Sequence, residues 1–104
     1  MAAVAAGIDA AKALKVLEVS GLYVTPGLVD IDFHAYAGGT YPRGTAPDGF
    51  TFRRGVTTVV DPGSSGWQTF DDFKARIIDT SRTRVLAMLN IVGHGIAGPK
   101  FETT

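Results

Sequence analysis

The sequence predicts an α/β fold built on a short parallel sheet. Three observations lead there. The chain carries three strand-length apolar runs, residues 28–33, 56–60 and 84–92, each bounded by glycine, proline or other turn-forming residues. The second and third runs are nearly continuous rather than alternating, which suits strands buried in a parallel sheet. Helical patterns fall between the runs, and buried strands joined by helical crossovers indicate a parallel α/β arrangement.

Composition narrows the function classes. A chain of 104 residues is one small domain or part of a larger one. A hydrophobic content of 45% argues against disorder. Ten Lys and Arg residues balance ten Asp and Glu residues with no basic block, which argues against nucleic acid or an anionic membrane as partner. The absence of cysteine excludes a disulfide, a cysteine-ligated zinc site and a thiol nucleophile. The opening stretch MAAVAAGIDAAKALKVLEV lacks a basic leader, and Asp9 and Lys12 interrupt it. No apolar run is long enough to span a bilayer, so a soluble, cytoplasmic protein is expected.

The elements follow in order. Residues 2–6 (AAVAA) suit a short strand or a helical start, ended by Gly7. Residues 15–24 (KVLEVSGLYV) suit two short strands joined at Ser20-Gly21. Thr25-Pro26-Gly27 is a turn. The first core strand runs from Leu28 to Phe33, followed by the long loop AYAGGTYPRGTAPDG, a length that often marks function. Pro47-Asp48-Gly49 starts a short helix closed by Gly55. VTTVV, residues 56–60, is the second strand, stopped by Asp61-Pro62-Gly63. Thr69 reads as the N-cap of an amphipathic helix that buries Phe70, Phe73, Ile77 and Ile78 and ends around Ser81. Asp71 and Asp72 oppose the positive end of its dipole. RVLAMLNIV, residues 84–92, is the third strand, and GHGIAGPK is a glycine-rich loop.

Each core strand ends in polar residues: Asp32 and His34, then Asp61, then Asn90 and His94. In parallel α/β folds, sites gather at the carboxyl ends of strands. Asp30, Asp32 and His34 occupy alternate positions of an apolar run, so a continuous strand would place all three on one face. Three ionisable groups there are costly without compensation. Plainer roles compete with chemistry. His34 suits a strand-end histidine bonded to backbone, Asp30 a structural acid orienting its neighbours, and Asp61 and Asn90 strand stops. Trp67 suits a residue covering the sheet or packed in a loop, and Arg53-Arg54 a solvated helix end. Gly63, Ser64 and Ser65 superficially suggest a phosphate loop, but no Lys follows where that motif needs one.

GLYVTPGLVDIDFHAY resembles the segment that opens the barrel of the amidohydrolase superfamily, commonly Pro-Gly, two hydrophobic residues, then Asp-x-His-x-His. The stretch from Gly55 to Gly98 is similar to the second and third barrel strands of a dihydroorotase-like or deacetylase-like branch. The resemblance spans roughly residues 3–102. It implies a distorted TIM barrel beside a small β-sandwich, with residues 1–26 as a sandwich remnant and 27–104 as the first three βα units. It also implies a divalent metal, commonly zinc with Mn or Fe as alternatives, that activates water for attack on an amide, ester or cyclic imide.

Two departures from the pattern matter. Asp32 stands where the family places its leading histidine, and His34 occupies the second position. These two are the expected metal ligands, with Asp30, Asp61 and Asn90 as neighbouring or substrate-side residues. A carboxylate is harder than imidazole and shifts preference toward Mn or Mg. The family's bridging lysine, later histidines and catalytic aspartate come from later strands and have no counterpart among these residues; His94 matches no ligand motif. The expectation is a truncated hydrolase part, with little activity alone and in some circumstances no bound metal. It would take a small-molecule substrate once completed, and would self-associate or pair with a chain supplying the missing strands. The alternative is a non-catalytic α/β module that oligomerises or binds a partner.

Overall fold

The computed structural model describes residues 4–37 and 44–96. Three strands, β1 (Leu28–Asp30), β2 (Val56–Asp61) and β3 (Arg84–Ala87), form one sheet in the order β1-β2-β3. Both pairings are parallel. Asp30 sits opposite Val59, and Val59 opposite Val85. Between β1 and β2 lies α1 (Pro47–Thr51), which tightens into a 3-10 turn over Phe52–Arg54; between β2 and β3 lies α2 (Phe70–Phe73), which widens into a π-type turn over Lys74–Ile78. The parallel α/β arrangement is therefore present.

β2 takes the centre because its β-branched run suits a strand with a neighbour on each side. Gly55 lets the preceding turn stop, since its φ of 70° lies in the left-handed region that glycine adopts without strain. Val59 and Phe73 are fully buried. Phe33, Ala35, Tyr36 and Val85 join them, with Val56, Phe70, Ile77, Ile78 and Ala87 half-buried around the edge. The Phe73 ring centroid lies 5.1 Å from that of Tyr36 and 6.5 Å from that of Phe70. The four apolar residues assigned to the amphipathic helix thus face the sheet. Only one side of the sheet is covered, because Val29 and Leu86 are exposed among the described residues.

Several sequence expectations change. Residues 15–24 form no strand and are exposed throughout, with a turn in which the Leu22 N–H donates to the Val19 carbonyl at 2.9 Å. Strand-forming side chains do not make a strand without a partner for the backbone groups. Residues 4–6 are neither strand nor helix; a 3-10 turn at Ala10–Lys12 follows. The Cα radius of gyration, 18.3 Å against about 13 Å for a compact chain of this length, reflects this extended leader.

β1 ends at Asp30 rather than Phe33, because the Asp30 side chain accepts the Asp32 N–H at 3.1 Å and bends the chain. β3 ends at Ala87 rather than Val92. Its neighbour β2 stops at Asp61-Pro62, where proline brings no N–H to the ladder. Thr69 makes no side-chain cap to α2. Its hydroxyl instead accepts the Gly66 N–H at 3.2 Å, and the helix and its π-type turn end at Ile78, short of Ser81. Arg53 and Arg54 are exposed as expected, with the Arg54 guanidinium 4.7 Å over the Phe50 ring. Residues 38–43 of the long loop, 97–100 of the last loop, and the first three residues of the chain lie outside the described residues.

Candidate functional site

The carboxyl ends of the three strands carry the polar residues, and Asp61 organises them. It is fully buried at the end of β2. Its Oδ2 accepts the backbone N–H groups of Ala35 at 2.8 Å and Tyr36 at 3.3 Å. Its Oδ1 accepts those of Gly63 at 3.1 Å and Ser64 at 2.7 Å. Four donors converge on one carboxylate and offset its removal from water. The strand-stop role expected for Asp61 is correct but incomplete, since the residue also ties the loop after β1 to the turn after β2.

The same tie brings His34 to Ser64. His34 Nδ1 lies 2.7 Å from the Ser64 hydroxyl, and on the other side of the ring Nε2 lies 3.7 Å from Asp32 Oδ1. Ser64 is buried, His34 half-buried and Asp32 exposed. Because the strand ends at Asp30, a bend at Asp32 rather than strand alternation brings Asp32 and His34 together. Asp30 serves that bend by accepting the Asp32 N–H, as a structural acid does.

The loops after β2 and β3 lock together. The Asn90 amide donates to the Gly63 carbonyl at 3.2 Å, its Oδ1 accepts the Val92 N–H at 2.9 Å, and its backbone N–H donates to the Ser65 carbonyl at 3.0 Å. Gly66 is required by this approach, because a Cβ there would collide with the Val92 carbonyl oxygen. Trp67 neither covers the sheet nor packs inside the loop. It is 64% exposed and lines a cleft of about 420 Å³ with Gln68, Ile91 and His94. His94 does not join His34, and no third His, Asp or Glu gathers with Asp32 and His34 among the described residues.

The Asp32 and His34 atoms nevertheless suit a cation. Donor bonds of about 2.0–2.1 Å in tetrahedral geometry place adjacent donors roughly 3.4 Å apart, close to the observed 3.7 Å. The pair fits two neighbouring positions of a coordination shell. A hydrogen bond to the second ring nitrogen, which Ser64 makes, is the usual support for a ligating histidine.

Two polar anchors escaped the sequence reading. Ser64 lies in a glycine-serine stretch that by sequence suggests only a phosphate loop. The sequence marks Asp48 only as part of a helix start, yet its carboxylate accepts the backbone N–H groups of Arg82 at 2.9 Å and Thr83 at 2.8 Å just before β3. Those donations, Arg82's first, hold its carboxyl below the ordinary aspartate range. Neither partnership has a local signal, since Asp48 meets Thr83 35 residues along the chain.

No protein-family model matches the chain. Over 96 residues it is 36% identical to a deacetylase of Agrobacterium fabrum, covering 92% of this chain and 23% of that protein. It is 33% identical to a deacetylase of Brucella anthropi over 96 residues, covering 92% and 24%. Among solved structures, a dihydroorotase matches with a TM-score of 0.63 and 41% identity, covering 70% of this chain and 20% of that chain. The chain spans about a quarter of the length of the curated relatives it matches. No helix among the described residues is long and apolar enough to cross a membrane.

Proposed function

Because this chain is amidohydrolase-like, of the deacetylase and dihydroorotase kind, we propose that it forms part of a cytoplasmic metal-dependent hydrolase acting on an amide, ester or cyclic imide. The observation that carries this reading is the pair at the carboxyl end of β1: His34 Nε2 faces Asp32 Oδ1 at 3.7 Å while Ser64 holds Nδ1 at 2.7 Å. In this reading Asp32 and His34 hold a divalent cation, zinc first with Mn or Fe as alternatives, and the Asp32 carboxylate shifts preference toward Mn or Mg. Such a cation, held by Asp32 and His34, would supply Lewis acidity for activating water and polarising a carbonyl. Asp61 fixes the backbone after His34, and Asn90 braces the turn at Gly63.

Two ligands are fewer than the three protein ligands of a catalytic zinc site. The sheet also has two open edges among its described residues, β1 and β3, and one exposed face. Both features support a working unit in which further strands continue β1-β2-β3 as the first three βα units of a barrel, with residues 1–26 in an adjoining sandwich. Those strands would come from additional chain or from an associated copy.

Metal analysis of the purified chain tests the reading. Zinc is expected to bind weakly and to be lost in His34→Ala. Absence of bound Zn, Mn or Fe after supplementation would sink metal binding by this chain. Little hydrolysis of an N-acetyl amino acid or of dihydroorotate is expected from the chain alone; chelator-sensitive turnover would overturn that expectation.

A further inference from the structure

Ser64 is held from two directions, at its backbone N–H and at its hydroxyl, beside the candidate ligand His34. Its backbone N–H donates to Asp61 Oδ1 at 2.7 Å, and the other oxygen of that carboxylate accepts the N–H of Ala35, the residue after His34, at 2.8 Å. One buried carboxylate therefore sets the separation of the two backbones, and across it the Ser64 hydroxyl meets His34 Nδ1 at 2.7 Å. Ser64 is only 2% exposed. A substrate cannot reach that hydroxyl, so it works through the imidazole and not as a nucleophile.

We infer that Ser64 is the positioning residue for His34: it fixes the ring with Nε2 toward Asp32 and adapts to either imidazole tautomer. A serine hydroxyl both donates and accepts. With Nε2 protonated and facing Asp32, Ser64 donates to Nδ1. With Nε2 given to a cation, the proton sits on Nδ1 and Ser64 accepts it. The Nε2 proton leaves to solvent and one is taken up at Nδ1, while on the protein only the Ser64 hydroxyl hydrogen turns away, so the ring stays in place as its Nε2 lone pair becomes available. This inference rests on the metal reading for its consequence, but its geometry stands without it.

The test uses the full chain with 15N-labelled histidine, in a His94→Gln background so that only His34 reports, and Zn²⁺ as probe. Zinc is expected to put the proton on Nδ1 and the metal signature on Nε2. Ser64→Ala is expected to weaken zinc binding about tenfold or more and to mix the tautomers, and Ser64→Thr, which keeps a hydroxyl, to restore both. Unchanged affinity and an unchanged spectrum in Ser64→Ala, with binding still abolished by His34→Ala, would overturn the positioning role while leaving the metal reading intact. If the unmodified chain binds no zinc, the metal reading fails by itself. The zinc-free spectra then decide: a His34 tautomer ratio altered by Ser64→Ala sustains the inference, and an unaltered one overturns it. Should the added methyl of threonine unfold this buried site, the Ser64→Ala spectra still decide.

Discussion

Asp61 Oδ2 accepts the Ala35 backbone N–H at 2.8 Å, so a side chain at the end of β2 sets the path of the chain leaving β1. In a parallel sheet the carboxyl ends of adjacent strands lie side by side, and a short carboxylate on the central strand reaches the next loop. Asp61 is thus a structural residue of the site, and the loop that carries the candidate ligands is anchored to it.

Asp61→Asn should therefore be strongly destabilising. The carboxylate accepts four N–H groups, and an amide nitrogen in place of one oxygen would point donor at donor. Charged hydrogen bonds of this kind are worth about 1.5–3 kcal/mol each before compensation, and a net loss of about 3 kcal/mol is expected in urea unfolding. A loss under about 1 kcal/mol would contradict the anchoring role.

Asp48 predicts an acid-sensitive joint between α1 and β3. The Arg82 and Thr83 N–H groups lower its pKa, so the folded state favours the charged form. The stabilisation is complete above the ordinary aspartate value of about 4 and is lost as pH falls through the lower folded value. Because the carboxylate is only half-buried, the effect should stay below about 1 kcal/mol. The stability gap between the native chain and Asp48→Asn should shrink from about pH 6 to about pH 2; a constant gap would remove the charge from the explanation.

Tyr36 predicts a step at the alkaline end. Burial first, then its hydroxyl's donation to Asp72 at 2.8 Å, pushes the phenol up to about 12. A raised pKa favours the neutral form in the fold. That contribution is full below the free tyrosine value of about 10 and is lost as pH rises through about 12. An absorbance titration should show a late ionisation that vanishes in Tyr36→Phe. A Tyr36→Phe chain that keeps the late step, and instead loses an ionisation near the free tyrosine value of about 10, would count against the buried hydrogen bond.

Asp32→His should strengthen zinc binding by about tenfold or more, since imidazole is the better match to this cation at the same position. Calorimetry of both chains decides it. Equal affinity would mean that Asp32 is not a site position, whatever its distance from His34.

Much of the fold was legible because its signals are local. The β-branched run of β2, the glycine stop at Gly55 and the spacing of Phe70, Phe73, Ile77 and Ile78 each carry their meaning in a few residues. The first strand was overextended for an instructive reason. Leu28 to Phe33 has strand composition throughout, but the Asp30 carboxylate takes the Asp32 N–H and bends the chain. Residues 15–24 show the converse, with strand-forming side chains and no partner strand.

By itself, then, the sequence determined the order of strands and helices, the polar ends of the strands, and the resemblance carried by GLVDIDFHAY. Only the tertiary structure decided which polar ends meet. Asp61 reaches Ala35, His34 reaches Ser64 and Asp48 reaches Thr83 across 26 to 35 residues of chain. Side-chain contacts of that range leave no periodic trace, because they depend on where parallel strands bring the loops and not on what stands beside each residue.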